Sequence, residues 1–324
     1  MIIGAIDIGG TKTMVGAADE YGKILALHKF ETETADVYSH FKRCGTELRD
    51  CLTELGAFPG SVSGVGITLP GMVDKTHEKL DNAVFSGWKD VRVREFFQKF
   101  LGLDAVFIDN DVNACAMAEI AFGLGRKYKD FIWATVSTGV GGAIVSEGRL
   151  LEGCLNFAGE LGHVKVEYER PMLCPCGQYG CLEAHGSGSA ITRETLRRVS
   201  ENPGFAALFK EQKLNADAVG CSILAYAGVP EAIEIYRLAG MYLGRGFACA
   251  INLLNPQAVI IGGGVADSFG LIEPAMRETI SSCAAPPLAG VDVVKTGLGY
   301  NAAFLGAAAL ALAKANESDF GRQT

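Results

Sequence analysis

Apolar residues along this chain fall into short runs broken by glycine, and the spacing within the runs alternates between two periods. Ile2 to Asp7 is an apolar, partly β-branched stretch; the turn IGGTKT follows, and Met14 to Ala18 is apolar again. That pattern predicts strand, glycine-rich turn, strand. YGKILALHKFE predicts a third strand. Over 36–56 the period changes, and Val37, Phe41, Cys44, Leu48, Cys51, Leu52 and Leu55 fall along one helical face. VSGVGITLPG reads as a buried strand ending in a Pro-Gly turn. AVFIDNDVNACAMAEIAFG reads as a strand ending near Asp109 and a helix opening around Asp111. NPQAVIIGGGVAD adds a strand that closes on three glycines, and the Ala-rich stretch after Asn301 predicts a last helix. Strands and helices in alternation indicate an α/β fold.

One pattern occurs twice. FIWATVSTGVGGAIVSEGRLL repeats the order of IIGAIDIGGTKTMVGAADEYGKIL about 130 residues later. Two readings fit: an internal duplication, or two instances of a common hairpin, and the pattern alone favours the second. No Pro/Ser-rich linker separates the halves, so two domains would share a short hinge.

Composition narrows the function classes. At 324 residues the chain is long enough for two domains, and with 49% hydrophobic and 20% charged residues it is of globular type. A formal net charge of −8, with no Lys/Arg cluster, argues against a nucleic-acid surface. The start, MIIGAID, lacks a basic n-region, and the apolar stretches around 247–254 and 302–313 are short for a bilayer span, which takes about 20 residues. A soluble cytoplasmic protein without membrane partners is therefore expected, with its ten cysteines reduced.

Three of those cysteines crowd into CPCGQYGCLE, and with His163 they spell H-x10-C-x-C-x4-C. One imidazole and three thiolates suit tetrahedral zinc, and four protein ligands leave no open position, which excludes a zinc hydrolase. Buried free thiols are the bland alternative; the turn-rich setting of Pro175, Gly177 and Gly180 favours metal. Glu160 and Glu183 flank the ligand set, so closing the metal loop holds both carboxylates in one region, where vicinal hydroxyls could be bound. DIGGTKT and STGVGG each offer glycines, hydroxyls and backbone N–H groups for an anion, without matching GxxxxGK[ST] or GxGxxG. Asp111, at a strand end beside Asn110 and opening a helix, is a general-base candidate; a plain N-cap is the competing role.

With DIGGTKT, LPGMVD, IDNDVNA, STGVGGAI, GELGH and CPCGQYGCLE in this order, nearly the whole chain resembles the ROK family of sugar kinases, within the actin-like ATPase superfamily. The resemblance implies a two-domain actin-like (ribonuclease H-like) α/β fold with a cleft between domains. The expected division is a small domain over 1–112, completed by a C-terminal helix at about 302–324, and a large domain over 113–301 carrying the zinc site. It implies ATP-dependent phosphorylation of a hexose, glucose to glucose 6-phosphate, with Asp111 as base. Asn110, Glu160, His163, Glu183, Gly71 and Asn82 would face the sugar. Asp7 would orient Mg²⁺ through water, while Gly9, Gly10, Thr11, Lys12, Thr138 and Gly139 would hold the phosphates of Mg-ATP. Gly263 and Gly264 would line the adenosine side, and His163, Cys174, Cys176 and Cys181 would bind a structural zinc. A homodimer is implied as well. Family glucokinases carry an Asn shortly before a Trp; here Asn82 precedes Trp88 by six residues, which leaves open both the Asn82 contact and the sugar. N-acylhexosamine (ManNAc or GlcNAc) kinases and fructokinases are neighbouring readings, and a sugar sensor without catalysis is another. The family's repressors carry an N-terminal winged helix; the first phosphate turn here begins within ten residues of the start, so none is expected ahead of it.

Overall fold

A central strand buried on both faces organises the first half of the chain. β1 (Ile2–Ile8) pairs antiparallel with β2 (Lys12–Asp19), which pairs with β3 (Ile24–Glu31). On its other side β1 runs parallel to β4 (Val65–Leu69), and β4 runs parallel to β8 (Val106–Asn110). The computed structural model describes residues 1–83 and 85–321, so the last three residues of the C-terminal helix expected to reach 324 lie outside the described residues. The expected amphipathic helix is α1 (Val37–Glu54), capped by Asp36, whose carboxylate accepts from the N–H groups of Tyr38 and Ser39 at 3.0 and 3.3 Å. It buries Phe41, Cys44, Leu48, Cys51 and Leu52, each on the face that the spacing marks out.

Between β4 and β8 the chain builds a small sheet of β5 (Met72–Val73), β6 (Leu80–Ala83) and β7 (Trp88–Val91), then α2 (Val93–Leu101). Helix α3 (Asp111–Phe122) follows β8 directly. The second half opens on β9 (Phe131–Val136) and β10 (Val140–Ser146), then the two-residue strand β11 (Arg149–Leu150). Helices α4 (Leu182–Gly186), α5 (Gly188–Glu201), α6 (Pro203–Glu211), α7 (Ala218–Tyr226) and α8 (Pro230–Leu254) lead to β12 (Ala258–Gly262). Then come α9 (Phe269–Cys283), β13 (Asp292–Lys295) and α10 (Ala302–Gly321).

The described residues divide into two compact units: 1–83 and 85–129 with 147–158 and 297–321, and 130–146 with 159–296. Their apolar cores share no residue. In the first unit one core gathers α1, α2 and the sheet, and another joins β1 and β2 to α3 and α10 through Ala118, Phe304 and Ala308. In the second, α8 lays Leu243, Phe247 and Ile251 against the core that holds Val259 and Ile261 of β12. The strand order of the first unit is β3-β2-β1-β4-β8, and β10-β9-β12-β13 repeats its antiparallel, parallel, parallel succession in the second. The repeated hairpin of the sequence is thus one part of a repeated sheet. Among the described residues no single helix is long and apolar enough to cross a membrane.

Candidate functional site

Parallel pairing places three polar residues in one row across the first sheet. Asp7 of β1 stands opposite Thr68 of β4, and Thr68 stands opposite Asp109 of β8. All lie at the carboxyl ends of their strands, where α/β sheets hold ligands. The Thr68 hydroxyl donates to Asp7 at 3.0 Å. Burial, then the nearby Asp111 charge, pushes the Asp7 carboxyl up to about 7 against that hydrogen bond.

The cap of α3 is Asn110, whose Oδ1 accepts from Val112 N–H at 2.8 Å, and Asp111 is the first helical residue. The N-cap position is therefore Asn110, although Val112 N–H also donates to Asp111. Asp111 is half-buried and accepts from Val112 N–H at 3.1 Å; burial foremost, and more weakly the Asp109 charge, push it up to about 6. A carboxylate poised near neutrality at a strand end is what a general base requires. Asn110 Nδ2 donates to the Gly71 carbonyl at 2.8 Å, and a Cβ on Gly71 would lie 2.5 Å from the Asn82 carbonyl. Gly71, Asn82 and Asn110 are therefore neighbours, with Asn82 paired in β6 opposite Met72 and Lys89.

Four residues that the sequence reading passed over support this corner. Asp109 is 1% exposed and accepts from Asn110 N–H at 2.7 Å, Asn113 Nδ2 at 3.2 Å and Asn156 Nδ2 at 3.4 Å. His77 donates through Nδ1 to the Ile108 carbonyl at 3.1 Å and stands 3.8 Å from Asp109. Burial raises the Asp109 carboxyl, with the His77 charge the first of the opposing effects. Asp109 and Asn113 lie inside the quoted IDNDVNA and had a signal there; His77 and Asn156 join only through the fold.

The expected zinc ligands converge in the second unit. The donor atoms of His163, Cys174, Cys176 and Cys181 all lie within 4.8 Å of one another. Cys176 and Cys181 sulfurs are 3.7 Å apart, and Cys174 Sγ is 3.8 Å from His163 Nδ1. Thiolates bound at about 2.3 Å to one tetrahedral ion would stand about 3.8 Å apart, close to the Cys176–Cys181 separation, so the donor set suits a zinc ion. Lys165 Nζ lies 3.0 Å from Cys181 Sγ, a cation beside a set that would carry net negative charge with zinc bound. The His163 ring also divides its faces: Nε2 is 3.6 Å from the exposed Glu160 carboxylate. Glu183 Oε2 accepts from Val140 N–H at 3.0 Å, and its Oε1 is 3.8 Å from Cys174 Sγ, so it joins the second glycine turn to the cysteine loop. A Cβ on Gly139 would sit 2.3 Å from the Glu183 carboxylate, so that side chain would have to move to admit one.

Gly9, Gly10 and Thr11 form the turn between β1 and β2, and Lys12 opens β2; Gly10, Thr11 and Lys12 are exposed. Thr138 and Gly139 belong to the turn between β9 and β10, and Gly263, at φ 87°, and Gly264 follow β12. Thr138 and Gly264 line one recess of about 660 Å³ together with Ser137, Leu196, Val219 and Ser222. Thr138, Gly139 and Glu183 line another of about 520 Å³ with Cys174 and Ser189. Arg193 of α5 borders both, a cation that no motif marked. Volumes of this size suit cofactors and small substrates.

The sequence profile of the ROK family matches residues 3–314. Glucokinase of Streptomyces coelicolor is 32% identical over 317 residues, covering 94% of this chain and 96% of that one. The xylose repressor of Bacillus subtilis is 29% identical over 292 residues, 87% of this chain and 71% of the repressor. Among solved structures, a ROK family glucokinase from Streptomyces griseus in complex with glucose and AMPPNP is 30% identical. It superposes with a TM-score of 0.83 over 97% of this chain and 100% of its own. The actin-like α/β fold, the ordered glycine turns and the match over nearly the full length agree: this chain belongs to the ROK family.

Proposed function

We propose that the protein transfers the γ-phosphoryl group of Mg·ATP to a hexose, glucose to glucose 6-phosphate, with Asp111 as general base. The observation that carries the reading is Asp111 itself, first residue of the helix that Asn110 caps and raised to about 6, chiefly by burial. A sugar hydroxyl is a poor nucleophile at neutral pH. Asp111 accepts its proton as the oxygen attacks phosphorus, and the ADP oxygen leaves in line. Asn110, held between its cap bond and the Gly71 carbonyl, binds a neighbouring hydroxyl. Glu160, His163 Nε2 and the remaining lone pairs of Glu183 bind others. Asp7, kept from full ionisation by burial in the free protein, is a natural partner for the magnesium ion that accompanies ATP. Backbone N–H groups of the two glycine turns, Lys12 and Thr138 hold phosphate oxygens, with Gly263 and Gly264 on the adenosine side. His163, Cys174, Cys176 and Cys181 hold a structural zinc that fixes the geometry of Glu160 and Glu183.

Likeness to a xylose repressor supports a second reading, a sugar sensor without catalysis. The retained Asp111 and both glycine turns favour the kinase. A panel of glucose, mannose, fructose, ManNAc and GlcNAc in a coupled ADP-release assay tests the choice. Release stimulated most by glucose is expected; a greater response to ManNAc, GlcNAc or fructose would replace the substrate. Sugar binding without any sugar-dependent ADP release would leave the sensor.

A further inference from the structure

The first glycine turn is held from behind by a chain of hydrogen bonds in which the proposed reaction has no part. Gly9 N–H donates to the Lys12 carbonyl at 2.9 Å, and a Cβ on Gly9 would sit 2.6 Å from that same oxygen. The Gly9 carbonyl accepts from the Thr32 hydroxyl at 2.8 Å. Thr32 Oγ1 is 2.9 Å from Thr13 Oγ1, which is 3.0 Å from His40 Nε2. At the far end Glu33 N–H donates to His40 Nδ1 at 3.3 Å. Thr13 and His40 are both 0% exposed.

One assignment of hydrogens satisfies every link. The Glu33 amide can only donate, so Nδ1 carries a lone pair and the proton of the neutral ring sits on Nε2. Nε2–H then donates to Thr13, the Thr13 hydroxyl to Thr32, and the Thr32 hydroxyl to the Gly9 carbonyl, which can only accept. A second proton on the ring would set donor against donor at Nδ1. The surroundings agree: the rings of Phe30 and Trp88 lie 5.8 and 6.0 Å away, and burial, aided by the Arg43 charge, pushes His40 down to about 4.

The consequence reaches the turn through peptide geometry. In a planar trans peptide the C=O and the following N–H point in opposite directions. Drawing the Gly9 carbonyl inward therefore turns the Gly10 N–H toward the exposed side of the turn. We propose that His40 is a positioning residue: as its neutral Nε2–H tautomer it sets, through Thr13 and Thr32, the direction of the Gly10 N–H that meets a nucleotide phosphate. This inference rests on the reading of Gly9 to Lys12 as a phosphate turn.

The test uses His40→Leu, which removes the donor, and His40→Gln, which can present an amide N–H where Nε2 stood. Thr32→Val cuts the last link without touching the core histidine, and serves if His40→Leu folds poorly. His40→Leu and Thr32→Val should raise the KM for ATP about 3- to 10-fold, the effect of one misdirected hydrogen bond, with the KM for sugar unchanged. His40→Gln should restore most of the loss. Nitrogen-15 NMR of the wild-type imidazole should show the Nε2–H tautomer, without titration between about pH 8 and pH 5. An Nδ1–H tautomer, titration near the ordinary histidine value, or unchanged ATP affinity in both disrupting variants would overturn the inference alone. A wild-type protein that neither binds ATP nor phosphorylates sugar would instead overturn the nucleotide reading, and this inference with it, whatever the NMR shows.

Discussion

Asp111 has a pKa that bears on rate and stability in opposite directions. As a base it must be ionised, so kcat/KM should fall about tenfold per pH unit below roughly pH 6 and level off above it. Asp7 and Asp111 influence each other, so the limb belongs to the pair, and magnesium bound near Asp7 would narrow it to Asp111. Asp111→Asn should lower kcat by about 10²–10⁴-fold and leave sugar affinity within a few-fold. Stability runs the other way. Both folded-state values exceed the ordinary 3.8, so the protonated forms favour the native state. Their contribution is full below about pH 4 and is lost as pH rises through 6 to 7. Removing this half-buried charge with Asp111→Asn should then hold or raise the melting temperature at about pH 8, with the gain shrinking toward pH 5. A variant that turns over near the wild-type rate would rule out Asp111 as the base. Asp111 was legible in the sequence because its cue is local, a strand end running into a helix. His77 and Asn156 were not, because they lie 32 and 47 positions from Asp109 and only the fold brings them to it.

Elements with a strong period could be read directly, and those without it could not. α1 begins and ends within two residues of its expected span because its apolar stripe and Asp36 cap are both local features. β5, β6 and β7 escaped notice, since strands of two and four residues are too short to display alternation. α10 was visible as a helix but its seat was not. A Cβ on Gly66 of β4 would lie 1.8 Å from the Ala307 carbonyl, and one on Gly306 would lie 2.3 Å from the Ala114 carbonyl of α3. These glycines let α10 press against the sheet and against the helix that Asp111 opens. Gly306→Ala should therefore cost about 1–3 kcal/mol or more in urea denaturation, since rigid backbone cannot yield to an added methyl. An exchange within ~0.5 kcal/mol of neutral would show that the helix shifts freely. The cysteine loop was legible for the opposite reason, its spacing being local chemistry. Cys176→Ser should lose zinc by elemental analysis and melt at lower temperature, because ligand bonds are made only in the folded loop. Wild-type protein folded yet free of zinc would sink the metal reading.

At the scale of the whole molecule, two sheets of like order each have a core of their own, and the metal ligands all belong to the second unit. The repeated strand order was only half legible: the hairpins repeat in sequence, but the parallel partners β4 and β12 stand at different distances from them along the chain. Separate cores make the effect of metal local. Zinc would tie His163 to Cys174, Cys176 and Cys181 across a loop also closed by Val166 N–H to Gly180 carbonyl and Leu182 N–H to Val164 carbonyl, both at 2.9 Å. Glu183 carries the constraint to Val140 at the second glycine turn. Stripping the metal with a chelator should therefore speed amide hydrogen exchange at Val166 and Leu182 first, and next at Val140, whose acceptor depends on the loop. Amides of β1 and β4 in the first unit should keep their protection, because opening there requires loss of a core that contains no metal ligand. The comparison is internal to one sample, so it does not depend on an absolute stability. Equal loss of protection in β1 and in the cysteine loop would show that the metal supports the whole chain as one cooperative body, and the local account would fall.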